Sequence, residues 1–198
     1  MRTLRLTGRG LTLADLADVA DRRARAVLTP AARRAMAASR NVVERALRRG
    51  ARVYGLTTGF GNFADVTISP DEIEILQRNL VRSHAAGVGE PLPDRAVRAM
   101  MVLRANALAR GFSGIRPATV ATLVAMLSAD LLPPIPSQGS VGASGDLAPL
   151  AHLALGLMGE GELVRRGRRV PARRALAAAR IRPVTLGAKE GLALINGV

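Results

Sequence analysis

Several residue types that stabilise or specialise other proteins are missing or scarce in this chain. Its 198 residues include no cysteine and no tryptophan, one tyrosine (Tyr54) and one lysine (Lys189). Without cysteine, disulfides and thiolate metal sites are excluded. Aromatic residues make up only 2% of the chain, so the core must consist mainly of Ala, Leu, Val and Ile. A lone tyrosine in such a chain is a candidate for a role that needs its hydroxyl.

Long apolar runs are also missing. No segment approaches the roughly 18 apolar residues of a membrane span, and the N-terminal stretch is too polar for a secretory signal. We therefore expect a soluble, cytoplasmic protein.

Acidic residues are scarce relative to basic ones, 15 against 29, which leaves a formal net charge of +14. Such an excess raises the question of nucleic-acid binding. The arginines are spread over helix faces without interleaved aromatic residues for base stacking, and an Ala- and Arg-rich composition is typical of a biased genome. We therefore expect no nucleic-acid partner, and we expect compensating acidic surface in a missing part or in a partner.

Helix signals dominate the local patterns. Thr12 followed by Asp15 predicts a capping box, Pro30 suits the first turn of a second helix, and the prolines of 131–140 favour an extended segment. Residues 54–69 have no periodicity and are interpreted as a loop. The predicted helices cover about 13–27, 30–50, 70–83, 94–111, 117 onward, 147–158 and 189 to the end; a short strand covers 2–8, and a hairpin over 162–170 turns at Arg166-Gly167.

The segment 139–150 has the composition of a tight loop that leads into a helix. Within it, Ala143-Ser144-Gly145 could cyclise, because Gly145 has no Cβ and its nitrogen can approach the Ala143 carbonyl carbon. Bond formation between these atoms releases one water, and loss of the Ser144 hydroxyl releases a second. The product is a five-membered ring with an exocyclic methylene, an electrophile that no ordinary side chain supplies. Taken alone, the tripeptide also fits a glycine-rich turn that caps the next helix.

Four motifs occur in one order along the chain: YGLTTGFG at 54–61, NLVRSHAAGVGEPL at 79–92, GSVGASGDLAPLAHL at 139–153 and KEGLALING at 189–197. Each is weakly specific alone, but the four in this order and spacing are highly specific. Over essentially the whole chain the sequence resembles the aromatic amino acid ammonia-lyases, the histidine-specific members most closely. The resemblance implies a mainly α fold like the N-terminal domain of these lyases, with a short N-terminal strand and a small β-hairpin.

The resemblance also implies a prosthetic group. In this family the Ala-Ser-Gly triad, here Ala143-Ser144-Gly145, cyclises autocatalytically to 4-methylideneimidazole-5-one (MIO). Gly142 gives the loop its conformational freedom, and Asp146 helps to hold it. An α-ammonium is a poor leaving group and a β-hydrogen is barely acidic, so an electrophile that bonds to the substrate divides one difficult step into easier ones.

Three more site residues follow from the resemblance. Tyr54 matches the loop tyrosine that removes the β-proton, a task that requires a pKa below the usual value of about 10. His84 matches the position that contacts the substrate ring, and Asn196 matches an asparagine that contacts the substrate amino group and MIO. Without the resemblance, His84 fits a helix cap and Asn196-Gly197 fits a turn.

Two further points concern specificity and metals. Ser83-His84 is typical of histidine-specific members, but an imidazole can hydrogen-bond either an imidazole or a phenol. Tyrosine-specific lyases and aminomutases therefore stay as alternatives. The second histidine, His152, lies in an apolar helix and is interpreted as structural. With two histidines and no cysteine, we expect no metal site.

Residues 1–198 are thus interpreted as the N-terminal, MIO-bearing domain of an enzyme that converts L-histidine to urocanate and ammonia. The resemblance implies a homotetramer whose active sites combine residues of three subunits, and a longer chain that carries a C-terminal helical bundle. The sequence stops within an apolar helix, so we expect the bundle to be missing and the isolated chain to be inactive. A non-catalytic remnant or subunit is the alternative of a different class.

Overall fold

The computed structural model describes residues 1–53, 55–59, 68–69, 72–140 and 147–197. Helices dominate this part of the chain, which confirms the predicted mainly α class. The described helices are α1 (Leu13–Ala20), α2 (Pro30–Arg48), α3 (Ile73–His84), α4 (Asp94–Ala109), α5 (Pro117–Ser128), α6 (Leu147–Met158), α7 (Ala172–Ala178) and α8 (Glu190–Ile195). The described strands are β1 (Arg2–Leu6), β2 (Ala24–Leu28), β3 (Val88–Pro91), β4 (Pro136–Gln138), β5 (Glu162–Arg165) and β6 (Arg168–Pro171).

The prediction of a helix over 13–27 is wrong for its second half. The capping box at Thr12 is present, but α1 ends at Ala20, and Arg22 adopts a left-handed backbone with φ of 61°. Residues 24–28 instead form β2, which pairs in parallel with β1. Side chains along β2 alternate between the core and the exterior, and this period of two is typical of a strand rather than a helix.

The other strands show where local patterns succeed. The predicted hairpin is confirmed: β5 and β6 pair antiparallel, and Arg166 and Gly167 both have positive φ at the turn. The segment over 131–140 is extended, as its prolines predict, and β4 pairs antiparallel with β3. This β3–β4 pairing joins parts of the chain about fifty residues apart, and no local pattern predicted it.

The core is built from aliphatic and methionine side chains, as the scarcity of aromatic residues requires. Met36, Met101, Leu123, Leu153 and Leu157 are fully buried within one large cluster. Among the described residues, no helix combines the length and apolar character needed to cross a membrane.

The last helix is shorter than predicted. α8 ends at Ile195, and Asn196 follows with an extended backbone (φ −80°, ψ 116°). The prediction that this helix runs on to the end of the sequence is therefore wrong.

Candidate functional site

Three helices carry or directly adjoin three of the predicted site residues. His84 is the last residue of α3, α6 begins directly after Asp146, and Asn196 directly follows α8. The three helices pack against one another in pairs. The predicted His84 and Asn196 positions and the flank of the Ala-Ser-Gly triad are thus joined in one cluster of helices.

The ring of His84 is oriented by its own helix. Its Nδ1 lies 2.8 Å from the Leu80 carbonyl oxygen and 3.1 Å from the Ser83 hydroxyl. Since a carbonyl oxygen only accepts, Nδ1 carries the proton in this contact, and Nε2 of the neutral ring keeps its lone pair. The half-buried imidazole can therefore accept a hydrogen bond from a donor on a ligand.

The triad itself, with Gly142 and Asp146, lies outside the described residues, but both of its flanks are described. β4 brings the chain to Gly139 from one side, and α6 begins at Leu147 on the other. The N-terminal end of a helix carries unpaired amide groups and the positive end of the helix dipole. The end of α6 that borders the triad therefore favours an oxygen that carries partial negative charge.

A close backbone contact connects the His84 segment to the triad's flank. Gly139 has a φ of +142°, and a Cβ placed on it would lie only 2.9 Å from the Gly87 Cα and 3.3 Å from the Ala148 Cβ. Gly87 follows His84 by three residues, and Ala148 lies in the first turn of α6. Glycine at 139 thus allows both segments to lie against the chain at Gly139 itself, on the described flank that precedes the triad.

His152 has the structural place predicted for it. Its Nε2 accepts a hydrogen bond of 3.1 Å from the Gly87 backbone N–H, so it joins α6 to the segment after His84. Partial burial of the ring lowers the pKa of His152 below its ordinary value of 6.5, because desolvation disfavours the imidazolium. The neutral ring is the form that can accept this bond.

Contacts between α8 and α3 locate Asn196. Ala188, just before α8, packs in a small cluster with Ile73 at the start of α3, and the Gly191 N–H donates to Gln77 Oε1 one turn farther along, at 2.8 Å. The earlier residue of the α8 segment lies near the earlier residue of α3, and the later one lies near the later one. α8 therefore runs in the same direction as α3. The end of α8 that carries Asn196 therefore points toward the end of α3 that carries His84.

Tyr54 lies outside the described residues, and its neighbours lie near the other end of α3. Leu56 shares the small cluster of Ile73, and Arg52 and Thr57 line a cavity of about 740 Å³ beside the start of α3. α3 has twelve residues, so eleven steps, or about 17 Å at the usual rise per residue, separate this end from His84. The prediction that Tyr54 acts in the site stays a prediction.

A second cavity reaches Gly197, the residue after Asn196. It has a volume of about 560 Å³, and its lining comes from α4, from Leu150 in the first turn of α6 and from Gly197 after Asn196. Most of the lining is apolar, with Arg104 as its charged member. Its size falls in the range of small-molecule sites in proteins.

Sequence reasoning missed the buried polar residues that support α8. Gln77 and Glu190 are both fully buried, and neither was singled out among the motifs. Glu190 lies in the KEGLALING motif, and a charged residue at the start of an apolar helix could have indicated a buried, paired carboxylate. Its partners, Arg116 and Thr119, lie more than seventy residues away and could be identified only from the fold.

Comparisons with known proteins agree with this arrangement. The pattern of the aromatic amino acid lyase family matches residues 11–198. Histidine ammonia-lyases of Caldanaerobacter subterraneus and Symbiobacterium thermophilum are 50% and 56% identical over 100% and 96% of this chain. The chain spans only 39% and 38% of the length of these two relatives.

Solved structures show the same fold. The structure of histidine ammonia-lyase from Trypanosoma cruzi matches with a TM-score of 0.90 at 41% identity, over 99% of this chain and 37% of that one. Tyrosine aminomutase from Streptomyces globisporus matches with a TM-score of 0.90 at 37% identity, over 98% of this chain and 37% of that one. The predicted resemblance is confirmed, and the chain belongs to the aromatic amino acid lyase family.

Proposed function

We propose that this chain is the N-terminal, MIO-bearing part of a histidine ammonia-lyase, which converts L-histidine to urocanate and ammonia. The observation that carries the proposal is identity of 50–56% to histidine ammonia-lyases over nearly the whole chain. His84, at the end of a helix that packs against α6, adds support, because histidine-specific members carry Ser-His at this position. The remaining part of the substrate site is assigned to a segment like the one that continues the relatives' chains.

The proposal assigns MIO to Ala143-Ser144-Gly145. When formed, this group supplies an electrophile to which the substrate can bond covalently. The described flanks support the assignment, because the Gly87–Gly139 contact brings the His84 segment to one flank of the triad and the start of α6 offers amide donors on the other flank. Gly142 and Asp146 would allow and hold the tight loop.

Three residues of this chain then act on the substrate. His84 accepts a hydrogen bond at Nε2 from the N–H of the substrate imidazole, which selects the ring. Asn196 holds the amino group that leaves as ammonia. Tyr54 removes the β-proton, which requires hydrogen-bond donors or cations that favour the phenolate.

We further propose that the complete protein is a cytoplasmic homotetramer. A site made by several subunits accounts for a chain whose own cavities are open at the surface. It also accounts for the excess of positive charge, since acidic surface on the remaining part or on partner subunits would compensate it.

The second candidate is a tyrosine-specific lyase or aminomutase. The tyrosine aminomutase of Streptomyces globisporus has the same fold at a TM-score of 0.90, and His84 Nε2 could equally accept a phenol hydroxyl. The non-catalytic remnant has no comparable support.

Product analysis with the complete gene product separates these candidates. L-Histidine and L-tyrosine are supplied separately, and urocanate, 4-hydroxycinnamate, β-tyrosine and ammonia are quantified. We expect urocanate and ammonia from histidine, and a variant with His84→Leu should lose histidine turnover selectively. Arg82→Gln is the matched control, because Arg82 is exposed on the same turn of α3 and pairs with Glu160.

Each other result has a definite meaning. Turnover of tyrosine but not histidine would replace the proposal with the second candidate. Absence of all four products with both substrates would favour the non-catalytic alternative. Full activity of a Tyr54→Phe variant would show that another group is the base.

A further inference from the structure

Glu190 is a charged residue in a fully buried position. It is the first residue of α8, and its relative exposure is 0%. Carboxylates are almost never fully buried unless they are paired, because loss of water costs several kcal/mol or more. Glu190 also lies within the KEGLALING motif, and its burial requires compensating partners.

Both oxygens of the Glu190 carboxylate are saturated with donors. Oε1 accepts from the Arg116 backbone N–H at 3.0 Å and from the Thr119 hydroxyl at 2.7 Å. Oε2 accepts from the Gly187 N–H at 2.8 Å and from the Arg116 guanidinium, through Nε at 2.9 Å and through Nη2. One side chain thus joins α8 to the first turn of α5 and to the loop before α8.

That loop is held by cationic side chains as well. Arg116 Nη2 also donates to the Thr185 carbonyl at 2.5 Å, and Arg40 Nη1 donates to the Ala188 carbonyl at 2.8 Å. Arg40 is itself 8% exposed. The chain that enters α8 is therefore fixed to α2 and α5 before the helix begins.

The six residues of α8 cannot fix their own position. Isolated helices below about 12 residues are marginal in water, so the direction of α8 depends on external contacts. Apolar burial of Leu194 and Ile195 in the core supplies part of these contacts. The polar part, besides Glu190, is the Gln77 contact to Gly191 and a hydrogen bond from Arg104 to the Ala193 carbonyl. The Asn196 N–H donates to the Leu192 carbonyl at 3.1 Å, so the backbone of Asn196 follows the helix.

We propose that Glu190 is a positioning residue that sets the place of Asn196 in the site. Its hydrogen bonds to Arg116 and Thr119 anchor the start of α8, and the short helix transmits that position to Asn196. The importance of this placement for catalysis rests on the proposed function, but the placement itself does not.

Thr119 offers a test that separates hydrogen bonding from shape. Thr119→Val keeps the shape and removes the donor to Glu190, whereas Thr119→Ser keeps the hydroxyl and removes a methyl group. Thr122→Val is the matched control, because Thr122 lies one turn later on α5 and its hydroxyl donates only to the Ala118 carbonyl. All variants are made in the full 198-residue chain.

Two measurements report on the position and stability of α8. The first is the side-chain amide NMR signal of Asn196, one of five asparagines, with the Asn106 signal as an internal reference because the Asn106 side chain is bound by the Gly8 N–H and not by α8. The second is hydrogen exchange at the Ala193 and Asn196 backbone amides. Thr119→Val should shift the Asn196 signal and accelerate this exchange about tenfold, the size expected when a hydrogen bond to a buried charge is lost.

Comparison of the serine and valine variants shows whether the Thr119 hydroxyl is responsible. Thr119→Ser should keep both readouts near wild type, and Glu190→Gln should change them at least as much as Thr119→Val. Unchanged Asn196 signals in the Thr119→Val protein would overturn the proposal, as would equal effects of valine and serine. No substrate is used, so a failure of the proposed lyase activity would leave this result unaffected.

Discussion

Helices α6 and α8 border the same candidate site, but polar contacts contribute very differently to their positions. α6 has 12 residues, none of them acidic or basic apart from His152, and two thirds of its residues are buried among aliphatic neighbours. α8 has six residues; three of them pack in the apolar core, and buried polar groups from α3, α4 and α5 also hold the helix. Apolar burial is non-directional and tolerates small shifts, whereas the hydrogen bonds around α8 specify one position.

The largest effect should come from the apolar side of this comparison. Leu153 of α6 is fully buried, and Leu153→Ala should lower the free energy of unfolding by about 2–5 kcal/mol through lost burial and a cavity. Urea unfolding followed by circular dichroism measures it. Leu155→Ala, at a half-buried position on the same helix, should cost clearly less; equal losses would mean that burial does not govern the stability of α6.

A pair of glycine substitutions compares the two helices directly. An alanine Cβ at Gly191 of α8 would lie 2.9 Å from the Gln77 backbone oxygen, which cannot move freely. At Gly156 of α6 it would meet the Leu163 Cδ2 atom at 2.9 Å, the far end of a flexible side chain. We expect Gly191→Ala to destabilise the protein by about 1–3 kcal/mol, in the range for overpacking.

Gly156→Ala should be nearly neutral, because a gain of about 1 kcal/mol in helix propensity offsets the repacking. The midpoints of thermal unfolding rank the two variants. If Gly156→Ala proved the more harmful, α6 would be the rigidly specified helix and the comparison would be reversed.

The smallest effect concerns the polar contact of α6 with the His84 segment. The folded pKa of His152 is lowered by burial, while the unfolded value is 6.5. Just below that value the unfolded state binds more protons, so this contribution to stability is complete above pH 6.5 and is lost as the pH falls through the folded pKa. Unfolding measured between about pH 7 and pH 5 should show this decline.

His152→Gln supplies the control for that titration. Glutamine keeps an oxygen that can accept the Gly87 N–H but does not titrate, so the decline with pH should become shallower. An unchanged pH dependence would assign the decline to other groups.

The difference between α6 and α8 also explains how far the sequence could predict the structure. The extent of α6 follows from its own apolar run, and the hairpin follows from Arg166-Gly167, since both signals are local. The prediction of one helix over 13–27 failed because β2 is specified by its pairing with β1. Over so few residues, the sequence of a strand can also fit a helical pattern. Long-range pairing of this kind has no local signal.

The candidate site divides in the same way. Motif order led to His84 and Asn196, and the structure places both at the ends of helices in one cluster. The support of Asn196 by Glu190, Arg116 and Gln77 could not be predicted, because these residues meet only after α3, α5 and α8 have packed. Most of the donors that compensate the buried Glu190 carboxylate are distant in the sequence.

The central claim is that this chain makes its own electrophile, and the intact mass of the purified protein tests it most directly. Cyclisation of Ala143-Ser144-Gly145 removes two water molecules, so the wild-type chain should be lighter than its sequence by that mass. A Ser144→Ala variant, which has no hydroxyl to lose, should lack the exocyclic methylene, and the same change in the complete gene product should abolish lyase activity. A wild-type mass equal to that of the unmodified sequence would contradict the account.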